Sequence, residues 1–366
     1  MIKLALLTCG RSDFSIYYPL IKHLEKSPKF NIRVIAFGSH ISNYHGYTVK
    51  EIHEGGFECE EIATLLSSDS EDSISFSMGA TIIRFADYWK HNSFDWVIAL
   101  GDRYEMFSAV ASSVPFNFKV AHIHGGEKTL GAIDNAFRHS ITAMSSLHFT
   151  SCEAHANRVK NIIETEDQNK VFNSGSIALS DIERIEIYNP RQFKDSFNID
   201  LSKKTVLITL HPETKNPLNN KKILSEIKKY INLSKLQFLV TLPNNDTNGS
   251  FIREEMLSLE KNNHRVFCYD YLGVNGYFSA MKHCFFMLGN SSSGIIEAAS
   301  FGCWVLNVGN RQRGRVRSEN VFDCEASSKD FLEYEYKFEK LGAYSGENIF
   351  YNPNCLTIIS RELERK

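Results

Sequence analysis

The sequence lacks several features that would assign it to a special class of protein. Its eight cysteines stand singly along the 366 residues, with no C-x-x-C pair. This spacing argues against a structural zinc site and indicates thiols kept reduced in the cytoplasm, which is where we expect the protein to work. The longest apolar runs are far shorter than the roughly 20 residues that span a bilayer. The first residues turn polar after a short apolar run, so they are read as a first strand and not as a signal peptide.

The chain also lacks an excess of charge of either sign. Its formal net charge is -2, so no overall basic field would attract nucleic acid or an anionic membrane, and we expect neither partner. An anion would have to be bound by a local arrangement of side chains. The sequence is 43% hydrophobic and 23% charged, which is typical of a globular protein, and its length suits two domains.

Short apolar runs alternate with amphipathic segments along most of the chain. Predicted strands in the first half lie at 4–8, 32–37, 96–100 and 120–123. Those in the second half lie at 205–210, 238–242, 265–269, 284–288 and 304–308. This alternation predicts an α/β protein whose parallel sheets are covered by helices on both faces. We expect two doubly wound, Rossmann-like domains, 1–178 and 179–354, with a C-terminal helix at 355–366 packed back on the first. A ligand would bind in the cleft between their strand ends.

The most informative stretch reads GNSSSGIIE and runs from Gly289 to Glu297. It follows a predicted buried strand and leads into a predicted helix at 295–301. Small residues let a phosphate approach the backbone, and the first helical turn offers N–H groups beside three hydroxyls. These hydroxyls belong to Ser291, Ser292 and Ser293. A serine-capped helix without a ligand is the alternative. A basic loop that contains Arg311 follows the next strand, at the same sheet edge.

Polar side chains follow the predicted strands of the first half where each strand ends. Arg11 and Ser15 come after the first strand; an arginine there suits a phosphate, although a structural role in starting the helix is the alternative. Asp102 and Arg103 come directly after the strand at 96–100. A poorly solvated cleft can shift the pKa of such an aspartate, and a helix cap is again the alternative.

The next strand runs into the sequence HIHGGE, which contains His122, His124 and Glu127. Strand alternation places both histidines on one face, and the glycines allow a ligand near the backbone. Two histidines and a glutamate could hold a metal, but no further ligand at a suitable spacing is evident, so we expect no metal. Acid–base or substrate-binding roles are the prediction. Asp134 and Arg138 then lie four residues apart on a predicted helix, the spacing of an ordinary surface ion pair.

The strand ends of the second half carry a further set of polar groups. His211 precedes a proline that turns the chain out of its strand and could aim the imidazole into the cleft. Asn244 and Asp246 follow the next strand, and Tyr271 could stack on a base or be a core residue. Glu297 could accept both hydroxyls of a ribose. Together these groups predict a site for a nucleoside diphosphate, faced by the acidic and imidazole groups of the first half.

With these residues in place, the chain resembles the UDP-N-acetylglucosamine 2-epimerase family, and within it the hydrolysing branch that forms N-acetylmannosamine for sialic acid synthesis. The resemblance runs nearly end to end. Its motifs are GRSD at 10–13, GDR at 101–103, HGGE at 124–127, GAIDNAFRH at 131–139, HPET at 211–214 and GNSSSGIIE at 289–297. It implies a glycosyltransferase-B-like fold, UDP held mainly by the second domain, no metal or other cofactor, and a homodimer or homotetramer.

The resemblance also implies roles for single residues. Ser291, Ser292, Arg11 and His211 would hold the diphosphate, Glu297 the ribose, and Asn244, Tyr271 and Arg311 the nucleotide end. Asp102, Asp134, Arg138 and the 124–127 loop would surround the sugar. Anti-elimination of UDP would give a 2-acetamidoglucal, to which water adds. Asp102 or Asp134 would move the C2 proton, with Glu127 or His124 as its partner.

Two departures from the family pattern leave the substrate open. His124 stands where relatives often have glutamate, and the loop from Glu127 to Asp134 is one residue longer than in the animal enzymes. A histidine here resembles the branch that acts on UDP-N,N'-diacetylbacillosamine, in the legionaminic acid route. A non-hydrolysing epimerase, a glycosyltransferase and a nucleotide-sugar sensor are the remaining alternatives.

Overall fold

The structure is a computed structural model that describes residues 1–42, 46–64, 70–128, 130, 133–163, 169–213, 217–243 and 249–365. Contacts within the chain divide it into two compact units. Unit 1 comprises Met1–Ile182 and Phe350–Lys366, and unit 2 comprises Glu183–Ile349. The chain therefore leaves unit 1 near residue 182 and returns to it at residue 350.

Unit 1 contains a parallel sheet flanked by helices. Its strands are β1 (Ile2–Thr8), β2 (Phe30–Phe37), β3 (Cys59–Ile62), β4 (Trp96–Leu100), β5 (Val120–Ile123), β6 (Leu147–Thr150) and β7 (Val171–Asn173). Its helices are α1 (Arg11–Leu24), α2 (Val49–Glu54), α3 (Glu71–His91), α4 (Tyr104–Ser113), α5 (Asp134–Met144) and α6 (Glu153–Ile163). The strand order is β3-β2-β1-β4-β5-β6-β7, and every pairing is parallel.

Unit 2 repeats this plan with its own sheet. Its strands are β8 (Thr205–Thr209), β9 (Gln237–Thr241), β10 (Val266–Tyr269), β11 (Phe286–Gly289), β12 (Val305–Val308) and β13 (Val321–Cys324). Its helices are α7 (Pro190–Phe197), α8 (Pro217–Leu233), α9 (Gly249–Asn262), α10 (Gly273–His283), α11 (Ser292–Ile296) and α12 (Ser328–Leu341). The order is β10-β9-β8-β11-β12-β13, again all parallel.

Burial explains why the central strands read as continuous apolar runs. Every residue of β4 and of β8 is buried, as expected for parallel strands covered on both faces. Helix α1 packs Leu20 and Leu24 into the core of unit 1. The last helix, α13 (Cys355–Glu364), adds Ile359 and Leu363 to the same core, and so belongs to unit 1.

The prediction of two α/β domains with parallel sheets is confirmed, whereas several boundaries differ. The strand expected at 284–288 starts at Phe286, because Cys284 caps the end of α10. The helix expected at 295–301 begins earlier, at Ser292, and gives way to a short 3-10 helix, Ala298–Phe301. None of the described helices is long and apolar enough to cross a membrane.

Each sheet reverses its strand order at one point, and the loops there define where a ligand is expected. In unit 1 the reversal lies between β1 and β4, which are neighbours although β2 and β3 intervene in sequence. In unit 2 it lies between β8 and β11. Doubly wound sheets bind ligands at the carboxyl ends of the strands beside such a reversal, because the adjacent loops diverge and leave a crevice.

Candidate active site

In unit 1, a buried arginine gathers the acidic groups beside the strand-order reversal. Arg138, on α5, is 6% exposed and forms an ion pair with Asp102, the second residue after β4. Its Nη1 donates to the carbonyl of His124 at 2.6 Å and lies 3.6 Å from Oε2 of Glu127. The spacing of Asp134 and Arg138 is also that of an ordinary surface pair, but Arg138 is buried and its ion pairs are with Asp102 and Glu127. The four-residue spacing describes only contacts within the helix, whereas the guanidinium contacts groups in the loops that follow β4 and β5.

The loop after β5 leaves the strand more abruptly than alternation predicts. Strand β5 ends at Ile123, and His124 has a φ of +61°, in the left-handed region that a histidine seldom adopts. Alternation therefore does not fix its side chain relative to His122. Gly126, at φ +79°, must remain glycine because a Cβ there would lie 2.4 Å from the carbonyl oxygen of His155. A strained backbone held by its surroundings is a common feature of functional loops.

The two histidines of this motif have different environments. His122 is fully buried; its Nε2 lies 2.8 Å from the carbonyl of Gly101 and its Nδ1 lies 3.1 Å from Oγ1 of Thr142. Both ring nitrogens therefore have structural partners. His124 is 9% exposed, and no described residue bonds its buried Nε2. Burial lowers the pKa of His124, so the ring is neutral at pH 7 and Nε2 is available for a ligand.

Asp134 begins α5 and differs from Asp102 in its electrostatic environment. Burial raises the pKa of Asp134, and the negative charge of Asp102 raises it further. Asp102, by contrast, carries the ion pair with Arg138. Two nearby carboxylates in different surroundings are the usual basis of acid–base assignments in active sites.

The remaining site residues predicted for unit 1 lie at the ends of β1 and β4. Arg11 is the first residue of α1 and is exposed. The Ser15 hydroxyl donates to the carbonyl of Arg11 at 2.9 Å, so it supports the helix start. Arg103 donates to the buried carboxylate of Glu105 at 2.8 and 3.2 Å. That pair anchors the Arg103 guanidinium where the start of α4 meets the edge of the sheet.

In unit 2, Asn290 joins the loops at the strand-order reversal. Its Oδ1 accepts from the backbone N–H of His211 at 2.7 Å, and its Nδ2 donates to the carbonyl of His211 at 2.8 Å. The carbonyl of Asn290 accepts from Arg311 Nη1 at 3.0 Å and from Gln312 Nε2 at 2.8 Å. One side chain and its own carbonyl thus hold the loops after β8, β11 and β12 together.

Glu213 fixes the loop that carries Arg311 from the other side. It is 6% exposed, and its Oε1 accepts from the backbone N–H groups of Asn310 at 2.5 Å and of Arg311 at 3.2 Å. Its Oε2 accepts from Asn219 at 2.9 Å. Gly309 has a φ of +82°, and a Cβ there would lie 2.3 Å from Oε1 of Glu213. The close approach of this carboxylate therefore requires glycine.

The serine turn, residues 290–293, has the geometry of a capped helix start. The Ser291 hydroxyl accepts from the backbone N–H of Ser293 at 3.3 Å, and α11 begins at Ser292. Gly289 lies against β8, since a Cβ there would be 2.0 Å from the carbonyl oxygen of Thr209. Ser291 acts as the cap that the structural alternative predicts, while the hydroxyls of Ser292 and Ser293 are half-buried at the same edge.

Glu297 presents a carboxylate oxygen that the described residues leave without a hydrogen-bond partner. Burial raises its pKa to about 7, against the opposing effects of a hydrogen bond from Ser293 and the charge of Arg315. Its Oε2 is buried, and no described residue bonds it. Tyr277 lies close by, with its hydroxyl 3.4 Å from Oγ1 of Thr209, and burial raises its pKa to about 12. The site thus contains a buried acceptor suited to hydroxyl groups.

Comparison with known proteins identifies the family. The profile described as UDP-N-acetylglucosamine 2-epimerase matches residues 22–355. The chain belongs to this family. It is 35% identical over 341 residues to the hydrolysing GDP/UDP-N,N'-diacetylbacillosamine 2-epimerase of Campylobacter jejuni, covering 93% of this chain and 87% of that one. It is 31% identical over 327 residues to the hydrolysing UDP-N,N'-diacetylbacillosamine 2-epimerase of Legionella pneumophila, covering 89% and 85%.

Solved structures of the same family share the fold. The crystal structure of the UDP-GlcNAc 2-epimerase of Neisseria meningitidis bound to UDP-GlcNAc matches with a TM-score of 0.80 at 19% identity, covering 100% of both chains. At that identity the likeness concerns the fold. The two Rossmann-like units that the sequence predicts are thus also present in the fold of these solved structures.

Not every predicted site residue of this epimerase-family chain can be placed. Asn244 and Asp246 lie outside the described residues, so their roles stay predictions. Tyr271 is 80% exposed at the end of β10 and remains open to a planar ligand. Across the described ranges, no group of three His, Cys, Asp or Glu residues is arranged to hold a metal ion.

Sequence reasoning missed residues that organise both candidate sites. They are Asn290, Glu213, Gln312, Tyr277, Ser151 and His155. Asn290 and Glu213 lie inside motifs already singled out; Asn290 directly follows β11, and Glu213 lies in the loop after β8. There a buried polar side chain usually bonds backbone groups of neighbouring loops. That rule was the available signal for these two. Ser151 and His155 follow β6, which the apolar pattern did not predict.

Proposed function

We propose that the protein is a hydrolysing 2-epimerase of UDP-2-acetamido sugars, which releases UDP and a free sugar with inverted C2. The observation that carries this proposal is the cluster in unit 1. Arg138 is buried against Asp102 and Glu127. Asp134 lies beside this cluster, and burial raises its pKa. A cluster in which several carboxylates surround one ion-paired arginine suits proton transfer better than ligand binding alone. This distinguishes the proposal from a nucleotide-sugar sensor.

In this proposal, UDP binds to unit 2 at the reversal between β8 and β11. The hydroxyls of Ser292 and Ser293, with Arg311, would face the diphosphate, and His211 would donate to it. Hydrogen bonds to Asn290 hold both Arg311 and the backbone of His211, which supports this assignment. Donors that are already in place need no reorganisation as negative charge develops on departing UDP. The ribose hydroxyls would donate to Glu297, and Tyr271, with Asn244 and Asp246, would line the base end.

The sugar would meet the groups of unit 1, where the first chemical step takes place. The proton on C2 is barely acidic because no carbonyl is adjacent, so the anomeric C–O bond must break with proton removal or ahead of it. C2 loses its proton to a base, the C1–C2 double bond forms, and UDP leaves with the electrons of the C–O bond. Asp134 is the preferred base because burial favours its protonated form after transfer. Asp102, held by Arg138, would polarise the site.

The second step consumes water. Water adds its hydroxyl to C1 of the 2-acetamidoglucal, and C2 receives a proton on the face opposite to the one that lost it. The proton that water loses and the proton that C2 gains pass through the acid–base groups of the site and cancel. The proton that Asp134 took in the first step leaves to solvent with UDP, so the product is the free 2-epimeric sugar and the enzyme returns to its starting protonation state. Glu127 and neutral His124 are the proposed partners in this step, since His124 Nδ1 lies 3.8 Å from Oε1 of Glu127. No cofactor is needed because neither step changes the overall oxidation state.

The preferred substrate in this proposal is UDP-N,N'-diacetylbacillosamine. Two relatives at 35% and 31% identity bear that substrate in their names, and the chain has His124 within its HGGE motif. UDP-N-acetylglucosamine, which would give N-acetylmannosamine, is the second candidate. It is supported by the family description itself. The buried Nε2 of His124 offers a donor or acceptor to an additional acetamido group.

Incubation in D2O with each substrate, followed by proton and phosphorus NMR, tests the proposal. The expected result is release of UDP together with a free sugar that carries deuterium at an inverted C2. Faster turnover of the diacetamido substrate would assign the preference. Exchange at C2 with the nucleotide sugar left intact would instead indicate a non-hydrolysing epimerase. Binding of both compounds without any change would contradict the proposal and favour a transferase or a sensor.

Self-association is part of the proposal and rests on one helix. Along α3, Phe76 is 66% exposed and Ile83 is 71% exposed, seven residues apart and therefore on the same face. Gly79 lies between them on that face and lets a partner approach closely. An apolar helix face of this kind suits a second copy of the chain.

The scattered thiols support a cytoplasmic location.

A further inference from the structure

Two buried residues behind Glu127 have no role in the mechanism described so far. Ser151 follows β6 and is 2% exposed; His155 lies in the first turn of α6 and is 4% exposed. The Ser151 hydroxyl donates to Oε1 of Glu127 at 3.1 Å, and its oxygen lies 2.9 Å from Nδ1 of His155. The His155 ring also packs against Phe350, with ring centroids 6.2 Å apart. Glu127, Ser151 and His155 thus form a continuous chain of polar groups.

The direction of the hydrogen bonds follows from counting protons. An ionised carboxylate only accepts, so the single hydroxyl proton of Ser151 must point to Glu127. The serine oxygen is then left as an acceptor, and Nδ1 of His155 must carry a proton. Burial lowers the pKa of His155 to about 4, so the ring is neutral near pH 7 and holds only one proton. That proton is therefore on Nδ1.

We propose that Ser151 and His155 are positioning residues that hold the Glu127 carboxylate in its working orientation, through a chain from His155 Nδ1–H to Ser151 to Glu127 Oε1. The chain fixes Oε1, while Oε2 lies 3.6 Å from Nη1 of Arg138. Glu127 is thereby prevented from rotating into a closer pair with the arginine. Its effect on the rate rests on the proposed function, whereas the state of the His155 ring does not.

A matched pair of variants tests the chain through the reaction rate. In His155→Asn the side-chain amide N–H occupies the place of Nδ1–H, whereas in His155→Gln the amide reaches the place of Nε2. We expect His155→Asn to keep most of kcat. His155→Gln and Ser151→Ala should each lose about 10- to 100-fold in kcat with little change in KM, because a misplaced catalytic group slows chemistry more than binding.

The same pair separates positioning from a structural role. Asparagine is the poorer helix former, so a structural effect in α6 would make His155→Asn the more damaged protein. Thermal unfolding measures that order independently. The proposal is overturned if Ser151→Ala keeps the wild-type kcat, or if His155→Asn and His155→Gln are equally impaired.

The pH profile of kcat/KM provides a second readout. Removing a donor to an ionised carboxylate makes protonation easier. The acid limb of the profile should therefore move to higher pH in Ser151→Ala and in His155→Gln, but not in His155→Asn. A loss of folded protein would lower the whole profile without moving its limb, and a fixed limb in Ser151→Ala would overturn the proposal.

Nitrogen-15 NMR of the full chain labelled at histidine gives a readout that needs no substrate. The resonances that disappear in His155→Asn identify the ring. We expect Nδ1 protonated and Nε2 unprotonated in the wild type, with this preference lost in Ser151→Ala. An Nε2–H tautomer in the wild type would overturn the proposal. If instead the NMR result holds but the wild type releases no UDP, the proposed function fails while the hydrogen-bonded chain stands.

Discussion

Arg138 and Asp102 form an ion pair in which the guanidinium is almost fully buried and the carboxylate is partly open. The side chain of Arg138 is 8% exposed and that of Asp102 is 29% exposed. A buried cation requires a compensating negative charge, and Asp102 is its ion-pair partner. This leaves Asp134, the neighbouring carboxylate with a raised pKa, as the group free to exchange a proton.

Replacement of these aspartates by asparagine should slow the reaction without unfolding unit 1. Asp102→Asn removes the charge but keeps the shape, and Arg138 retains Glu127. We expect kcat to fall by about 10²- to 10⁴-fold in Asp134→Asn, the range for loss of a general acid–base group. Asp102→Asn should also lose activity. UDP release measures both.

Asp87→Asn is the matched control, because its side chain is 79% exposed on α3 of the same unit and pairs only loosely with His91. It should keep the wild-type rate. If Asp102→Asn and Asp134→Asn both hydrolyse the substrate as fast as the wild type, the assignment of the C2 proton to these residues is wrong.

The pKa of Glu297 predicts a pH dependence of nucleotide binding. Accepting two ribose hydroxyls requires the ionised carboxylate, whereas burial raises its pKa to about 7 and so favours the neutral form at lower pH. Affinity for UDP-glucose should be constant above about pH 8 and fall up to roughly tenfold per pH unit below 7. The diphosphate diester keeps a fixed charge over this range. Calorimetric titration from pH 5.5 to 8.5 measures the effect.

Glu297→Gln separates the effect of this carboxyl group from that of His211, the imidazole proposed to donate to the diphosphate. The variant should bind more weakly than the wild type at pH 8 and lose the acid limb. Persistence of the full limb in Glu297→Gln would assign the pH dependence to another group.

The sequence was sufficient for the architecture because the strands that decide it are buried on both faces. The runs at 96–100 and 120–123 coincide with β4 and β5 to the residue. Edge strands are less apolar, as in β7, where only Val171 is buried, and β13, where only Val321 is buried. Their patterns resemble loops. The stretch at 54–76 likewise contained β3 and the start of α3, hidden among polar residues.

The site was predicted in outline, because polar residues directly after buried strands are visible in sequence. Its wiring was not. Which loops meet depends on the strand order: β8 and β11 are neighbours although many residues separate them, and only that adjacency brings Asn290 to His211. The burial of Arg138 likewise depends on two other loops. Contacts between loops that are distant in sequence cannot be predicted from the spacing of residues within one segment.

The apolar face of α3 predicts an oligomer that mutation can dissociate. The double variant Phe76→Ser with Ile83→Ser removes two side chains that are 66% and 71% exposed, so it should leave the fold intact. We expect size-exclusion chromatography with light scattering to shift toward the 41.7 kDa of a single chain. Tyr336→Ser, in unit 2 at 64% exposure, is the control and should leave the mass of the assembly unchanged. A wild type that runs as a monomer would contradict the proposed interface.

Gly175 should resist replacement more strongly than other glycines in the same backbone region. It has a φ of +79°, and a Cβ there would lie 2.7 Å from Cβ of Asn352 and 3.0 Å from the carbonyl of Phe350. Gly175→Ala should lower the free energy of unfolding by about 2 to 4 kcal/mol through backbone strain plus the contact. Gly56→Ala has a similar φ of +78° but open space, so it reports the strain alone. Equal thermal shifts in the two variants would show that the contact with Asn352 relaxes freely.

Asn290 should control UDP affinity without contacting UDP. Asn290→Ala leaves the N–H and carbonyl of His211 without the partners that now lie at 2.7 and 2.8 Å, so the loop after β8 can drift from Arg311. Leaving such groups unsatisfied costs about 1 to 3 kcal/mol, which corresponds to a weakening of UDP binding of roughly 5- to 150-fold if the loop reorders on binding.

The control for Asn290 is another buried asparagine of unit 2. Asn320 is fully buried and its Nδ2 donates to the carbonyl of Cys303 at 2.8 Å, outside the serine turn. Asn320→Ala should lower thermal stability to a similar degree while UDP binds as in the wild type. Asn290→Asp keeps the acceptor for His211 N–H but turns an oxygen toward the His211 carbonyl, so it should bind UDP no better than Asn290→Ala. Wild-type UDP affinity in Asn290→Ala would mean that Arg311 and the serine turn hold their positions without this side chain.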